Sequence, residues 1–105
     1  MIRKPKRDPR EYKHLTLDNG LSAIIVSDSE NQVTSAAALS VGVGSLDEPD
    51  DAEGLAHFVE HMCFMGSDKY PGENDFGEFI DDNGGYTNAC TRSNTTVYEF
   101  NIDSE

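Results

Sequence analysis

The 105 residues suffice for one small folded unit with one hydrophobic core, and they are too few for that core plus a large regulatory domain. Charged residues make up 27% and hydrophobic residues 36% of the chain, which suits a globular piece better than a disordered tail. No apolar run approaches the ~20 residues of a membrane span, which excludes one. The net charge of −12 is uneven, since residues 1–13 carry six basic and two acidic side chains and residues 14–105 sum to −16.

The basic start of the chain is predicted to be a flexible arm, residues 1–13, ahead of a folded domain over residues 14–105. No apolar segment follows the basic residues, and two prolines and two acidic residues interrupt them, so the arm does not resemble a signal or transit peptide. The acidic body repels nucleic acid phosphates and favours cationic or metal-bearing partners, although a solvated surface explains the same charge.

Two cysteines occur, Cys63 and Cys90, far below the density of a secreted disulfide scaffold. We therefore expect free thiols and a reduced, cytoplasmic setting.

The first half of the domain is predicted to be β-structure. Residues 14–17 and 21–26 flank Asp18-Asn19-Gly20, and Asn-Gly favours the positive φ angles of a tight hairpin turn. Residues 33–43 are small, β-branched and uncharged, which is typical of a third strand buried on both faces.

The first clear helical periodicity covers residues 53–65. Asp50 or Asp51 can cap this helix, and Gly66 can close it. Three apolar residues then mark a second short helix that ends at Gly84-Gly85. They are Phe76, Phe79 and Ile80.

Residues 86–92 and 95–102 alternate like two further strands, which gives the order β-β-β-α-α-β-β. This order predicts an α+β fold, a mostly antiparallel sheet with helices packed on one face.

Two faces are predicted for the first helix at about 100° per residue. The apolar arc, predicted to be the core face, contains Leu55, Phe58, Val59, Met62 and Met65. The opposite arc contains His57, Glu60, His61 and Phe64. The polar side chains therefore share a stripe that the core does not need.

The polar stripe has the chemistry of a hydrolytic metal site. Histidines at positions i and i+4, His57 and His61, can reach one Zn²⁺ ion at ~2.0–2.1 Å. Glu60 lies between them and can take a proton from a water molecule that the metal acidifies. The pattern predicts metal-assisted hydrolysis of an amide bond, with a pair of solvent-facing histidines as the alternative.

The motif and its surroundings resemble a known family. His-x-x-Glu-His is the inverted zinc signature of the M16 (inverzincin) peptidases, and here it lies within Gly54–Gly66, followed by Lys69-Tyr70-Pro71 and Glu73-Asn74. The context looks like the insulin-degrading enzyme, nardilysin and pitrilysin branch, over about residues 17–103. The resemblance implies part of an M16 N-terminal domain, a zinc metalloendopeptidase acting on short or unfolded polypeptides.

By this resemblance, His57 and His61 match the zinc ligands and Glu60 matches the general base. Members of the family add the substrate as a strand to a sheet edge, and Asn88, Ala89, Cys90 and Thr91 match the strand that accepts it. An ordinary paired strand is the alternative for these four residues.

One departure concerns the third zinc ligand, a glutamate that the family places farther from His61 than the 44 residues that follow it here. Four acidic residues could substitute on chemistry alone, but none matches the family position. They are Glu73, Asp75, Glu78 and Glu99. We therefore expect the remainder of a peptidase chain as a partner and an isolated chain that is inactive. The alternative is a non-catalytic module that binds peptides or a partner subunit.

Overall fold

The computed structural model describes residues 3–30 and 33–104. In chain order its elements are β1 (Glu11–Thr16), β2 (Ser22–Ser27), β3 (Thr34–Val41), a short 3-10 helix (Ser45–Asp47), α1 (Leu55–Met62), α2 (Asp75–Asp82), β4 (Tyr86–Thr91) and β5 (Thr96–Asp103). The predicted order and the α+β class are confirmed. Neither helix is long and apolar enough to cross a membrane. The chain divides into two compact units between Val33 and Thr34.

The first unit is the hairpin of β1 and β2, which pair antiparallel from Glu11 opposite Ser27 to Thr16 opposite Ser22. Gly20 has a φ of 85° and its amide donates to the Leu17 carbonyl oxygen. The predicted turn therefore forms, but with a positive φ at the glycine alone.

The strand β1 begins three residues earlier than predicted, so Glu11 to Lys13 belong to the hairpin and not to the arm. Asp8, just before the strand, makes hydrogen bonds with two nearby side chains. Its carboxylate accepts hydrogen bonds from Arg10 Nε at 2.8 Å and from Tyr12 Oη at 2.7 Å. These bonds, the Arg10 bond foremost, hold the pKa of Asp8 well below its usual range.

The second unit is a three-stranded antiparallel sheet in the order β3-β5-β4, with both helices packed mainly against β4. Along β4, Thr87, Ala89 and Thr91 are half-buried, and the residues between them are exposed. The alternation places every second side chain of β4 beneath the helices.

Aromatic rings and one isoleucine form the interior of this unit. Ile80 of α2, at 1% exposure, is the one fully buried apolar side chain among the described residues. Neighbouring ring centroids lie 6.1–6.2 Å apart in the chain Tyr98–Phe64–Phe76–Phe100. This cluster joins α2 and the turn that follows α1 to β5.

The prediction that the third strand is buried on both faces is wrong. All eight residues of β3 are exposed. Within the three-stranded sheet β3 pairs with β5 alone, and its side chains Ser35 to Ala38 are small. A run of small apolar residues therefore marks a strand here without marking its burial.

The start of α1 is held by a residue that periodicity did not predict. Gly54 is the N-cap, and Glu48 Oε2 and Oε1 accept hydrogen bonds from the amides of Gly54 and Ala56, each at 2.8 Å. The expected cap at Asp50 or Asp51 is wrong. Gly54 has a φ of 86°, and the turn there aims its amides back at the earlier carboxylate.

Candidate metal centre

The side of α1 that faces the sheet carries the acidic residue of the motif. Glu60 is 7% exposed and is the one buried residue of the helix. The predicted core face is wrong for this chain, because its five residues are 44–62% exposed: Leu55, Phe58, Val59, Met62 and Met65. Helix α1 contacts β4 through the buried Glu60, and its apolar arc stays largely exposed, with Leu55 and Val59 lining a cleft beside the sheet.

A hydrogen bond explains how Glu60 is buried. The hydroxyl of Thr91, the last residue of β4, donates to Glu60 Oε2 over 2.5 Å. A buried carboxylate without such a donor would cost several kcal/mol in lost hydration. Helix α1 and strand β4 are thus joined by a charge-assisted hydrogen bond between residues 31 positions apart.

The two histidines of the motif point at one another from consecutive turns. Their Nε2 atoms lie 3.0 Å apart and their ring centroids 4.7 Å apart, and both side chains are exposed. One ligand atom from each of His57, Glu60 and His61 lies within 4.8 Å of the others. Nitrogens this close fit two ligands of one ion with Zn–N bonds of ~2.0–2.1 Å. The donor set therefore suits zinc.

The four acidic residues considered as substitute ligands do not join this group. Among residues 3–30 and 33–104, the cluster of His57, Glu60 and His61 is the one place where three such side chains come this close. One of the four, Asp75, instead accepts a hydrogen bond from the Gly72 amide at 3.0 Å.

The segment Asn88–Thr91 lies on β4, at an edge of the three-stranded sheet. Ala89 and Thr91 are half-buried, and Asn88 and Cys90 are exposed on alternate positions. One backbone edge of β4 pairs with β5 from Tyr86 opposite Asn101 to Thr91 opposite Thr96. The other edge has no strand beside it in the sheet as described.

Both cysteines are free and exposed. Cys63 follows α1 directly, and its Sγ accepts a hydrogen bond from Tyr98 Oη at 3.6 Å. Partial burial, followed by this contact with Cys63, raises the pKa of Tyr98 to about 12. The phenol therefore keeps its proton at neutral pH.

Comparison with known proteins places this geometry in a family. The model of the insulinase family, peptidase family M16, matches residues 23–105. The chain belongs to this family. The match includes all of the His57, Glu60 and His61 cluster and the edge strand β4.

Relatives of this M16 chain are much longer than the chain itself. It is 45% identical over 104 residues to insulin-degrading enzyme-like 2 of Arabidopsis thaliana, covering 99% of the chain and 11% of that protein. It is equally identical, over 99% of the chain and 12% of the relative, to a Caenorhabditis elegans protein named as a putative zinc protease. The chain thus spans about a tenth of the length of the curated relatives it matches.

The crystal structure of pitrilysin supports the M16 assignment at the level of the backbone. It superimposes with a TM-score of 0.91 at 40% identity, covering 96% of this chain and 11% of pitrilysin. The α+β arrangement is therefore that of an M16 peptidase.

Two contacts of this M16 site were not predicted from the sequence. The amides at the start of α1 donate to Glu48, and the Thr91 hydroxyl donates to Glu60. Both join residues that local periodicity does not relate. The one available signal was the family match of Thr91, which indicated its strand but not its partner.

Proposed function

We propose that the chain is part of a zinc-dependent endopeptidase that hydrolyses peptide bonds in short or unfolded polypeptides. The observation that carries this proposal is the convergence of His57, Glu60 and His61 within 4.8 Å on one side of α1. Relatives named as insulin-degrading enzyme-like and as a putative zinc protease support the reaction class and the metal.

In the proposed site, the imidazoles of His57 and His61 would hold a zinc ion through Nε2. Zinc bound there would supply Lewis-acid chemistry, which polarises a carbonyl group and makes water more acidic. The Glu60 carboxylate takes the proton of the attacking water and passes it to the nitrogen of the leaving amine. Glu60 is buried and the two histidines beside it are exposed, which suits one general base and two metal ligands.

Substrate is proposed to add to the edge of β4 along Asn88, Ala89, Cys90 and Thr91. Backbone hydrogen bonds hold any extended peptide at such an edge, which suits unfolded polypeptides of varied sequence. A test compares a substrate peptide with versions N-methylated at alternate backbone amides. We expect methylation in one of the two registers to weaken binding, because only alternate amides point at the edge strand. Equal binding of all versions would contradict strand addition.

The remainder of a longer peptidase chain is the proposed partner, since the relatives are about ten times longer. It would supply a further zinc ligand, so we propose that the 105-residue chain alone does not cleave peptides. The cytoplasm is the proposed location, and the two free, exposed thiols suit a reducing compartment.

Cleavage of a quenched fluorescent peptide tests the proposed base in the full-length protein that carries this segment. Glu60→Gln should lower kcat by roughly 10²- to 10⁴-fold, the usual contribution of a general base, while zinc stays bound. Glu53→Gln makes the same charge change outside the cluster and should leave kcat unaltered. Full activity in Glu60→Gln would refute the assignment.

A second candidate, a non-catalytic module that binds peptides or a partner subunit, is favoured by one observation. In the part of the chain that the structure describes, no further carboxylate joins the two histidines and Glu60. Such a module would bind peptide along β4 and show no cleavage in the full-length protein with zinc loaded. The same fluorescent assay therefore separates the two candidates.

A further inference from the structure

We propose that Thr91 is a positioning residue, whose hydroxyl sets the orientation of the Glu60 carboxylate. The inference rests on the proposed role of Glu60 as general base and assigns Thr91 a side-chain task beyond its place in the substrate strand.

Glutamate by itself does not fix the plane of its carboxylate. Its terminal torsion is broad and roughly two-fold, so an unrestrained carboxylate turns freely about its last bond. In this chain Thr91 Oγ1 donates to Glu60 Oε2 over 2.5 Å, at the short end for a hydroxyl and a carboxylate. With the residue only 7% exposed, water has little access to compete for that oxygen.

The strand pairing around Thr91 and the neighbouring side chain of Thr96 restrict where the Thr91 hydroxyl can lie. Its backbone lies opposite Thr96 in the β4–β5 ladder, and the following amide, that of Arg92, donates to the Thr95 carbonyl oxygen at 2.8 Å. Thr96, at 5% exposure, places its Oγ1 3.0 Å from the Val43 carbonyl oxygen and 3.5 Å from Thr91 Oγ1. The single hydroxyl hydrogen of Thr96 is better used at the shorter distance. Thr91 keeps its own hydrogen for Glu60 in either case, because accepting a bond does not use it.

The bond leaves one carboxylate oxygen available for proton transfer. Thr91 occupies Oε2, and none of the described residues makes a hydrogen bond to Glu60 Oε1. Every buried side-chain oxygen or nitrogen among the described residues has a hydrogen-bond partner. Since Oε1 has none, it is open to solvent. The geometry thus gives the two oxygens different tasks: Oε2 anchors the carboxylate, and Oε1 can exchange the proton.

The position of Thr91 ties this orientation to substrate binding. It is the last residue of β4, the edge strand proposed to hold the peptide. Its backbone would therefore serve the peptide, while its side chain holds Glu60. A rigid strand that bears both the peptide and the anchor of the base keeps their separation constant. Losing the hydroxyl should therefore impair turnover while the backbone still binds peptide.

The test uses the full-length protein with zinc bound and measures kcat and KM for a fluorescent peptide. Thr91→Val keeps the shape and the β-branched backbone preference but removes the donor. We expect kcat to fall roughly 10- to 100-fold, part of the contribution of a well-placed base, with KM within about twofold. Thr91→Ser restores a hydroxyl and should recover kcat to within about threefold of the parent protein.

Thr87→Val is the matched control, because Thr87 lies on the same face of β4 but donates to the Glu99 carbonyl oxygen. It should leave kcat unchanged. Thr91→Ala is measured beside Thr91→Val. If the valine variant does not fold, kcat of the alanine variant tests the positioning role.

Unchanged kcat in Thr91→Val or Thr91→Ala while Glu60→Gln is inactive would overturn the positioning role alone. A rise in KM without loss of kcat, or failure of Thr91→Ser to recover activity, would also overturn it. Full activity of Glu60→Gln would instead refute the proposed base, and the two failures are thereby distinguished.

Discussion

The two sides of α1 differ in a way that their composition does not suggest. On the polar side Glu60 is buried against β4 and accepts a hydrogen bond from Thr91, whereas the apolar side is largely exposed, with Phe58 at 62% exposure. In an ordinary amphipathic helix the apolar stripe is the one that is buried. The difference teaches that a residue of the site, Glu60, helps to hold the helix on β4. The exposed apolar stripe suits a surface provided by other parts of a longer peptidase.

The largest expected effect is the loss of zinc affinity when one histidine of the polar side is replaced. In the full-length protein, His57→Asn should weaken zinc binding by at least about 100-fold, because a ligand contributes more than the 10–100-fold of a supporting partner. His14→Asn is the control, since His14 lies in β1 and contacts Ser22 at 2.8 Å. Zinc affinity can be measured by competition with a chelator. An equal loss in both variants would mean that His57 has no special role.

Truncating apolar residues sharpens the contrast between buried and outward-facing side chains. In the 105-residue chain, Ile80→Ala should lower the free energy of unfolding by about 2–5 kcal/mol, the usual cost of emptying a buried isoleucine site. Phe58→Ala should cost less than about 1 kcal/mol there, because Phe58 is largely exposed already.

The same Phe58→Ala substitution in the full-length protein should cost about 3–5 kcal/mol if the remainder of the chain covers the apolar side of α1. Urea denaturation measures both proteins. Similar small losses in both would show that the apolar side stays uncovered.

The contact of Glu48 with the start of α1 tests how the helix is aimed. Glu48→Ala removes two hydrogen bonds to backbone amides and should destabilise the 105-residue chain by about 1–2 kcal/mol, the scale of a lost helix cap. Glu53→Ala removes a carboxylate just before the N-cap and is the control. If both substitutions cost the same, the contribution is general helix electrostatics and not the two hydrogen bonds that Glu48 accepts.

Local periodicity and turn chemistry predicted the elements of this fold because they depend on neighbouring residues. The Asn19-Gly20 turn, the helix around His57 and the alternating strand from Tyr86 are of this kind. Burial was predicted poorly for the same reason, since exposure of β3 and of Phe58 depends on which surfaces meet and not on the pattern itself.

The candidate site was predictable only in part. The spacing of His57, Glu60 and His61 follows from one helical turn, and the structure brings them together. Long-range partners follow from tertiary packing, so the hydrogen bond between Thr91 and Glu60 could be found only with coordinates.

X-ray absorption at the zinc edge of the full-length protein tests most directly whether the polar side of α1 is a metal site. The predicted spectrum shows two imidazole nitrogens and further oxygen at ~2.0–2.2 Å, with no sulfur. His57→Asn should remove one imidazole contribution. A zinc–sulfur distance of ~2.3 Å, as Cys63 or another thiolate would produce, or a spectrum without imidazole, would contradict the proposed site.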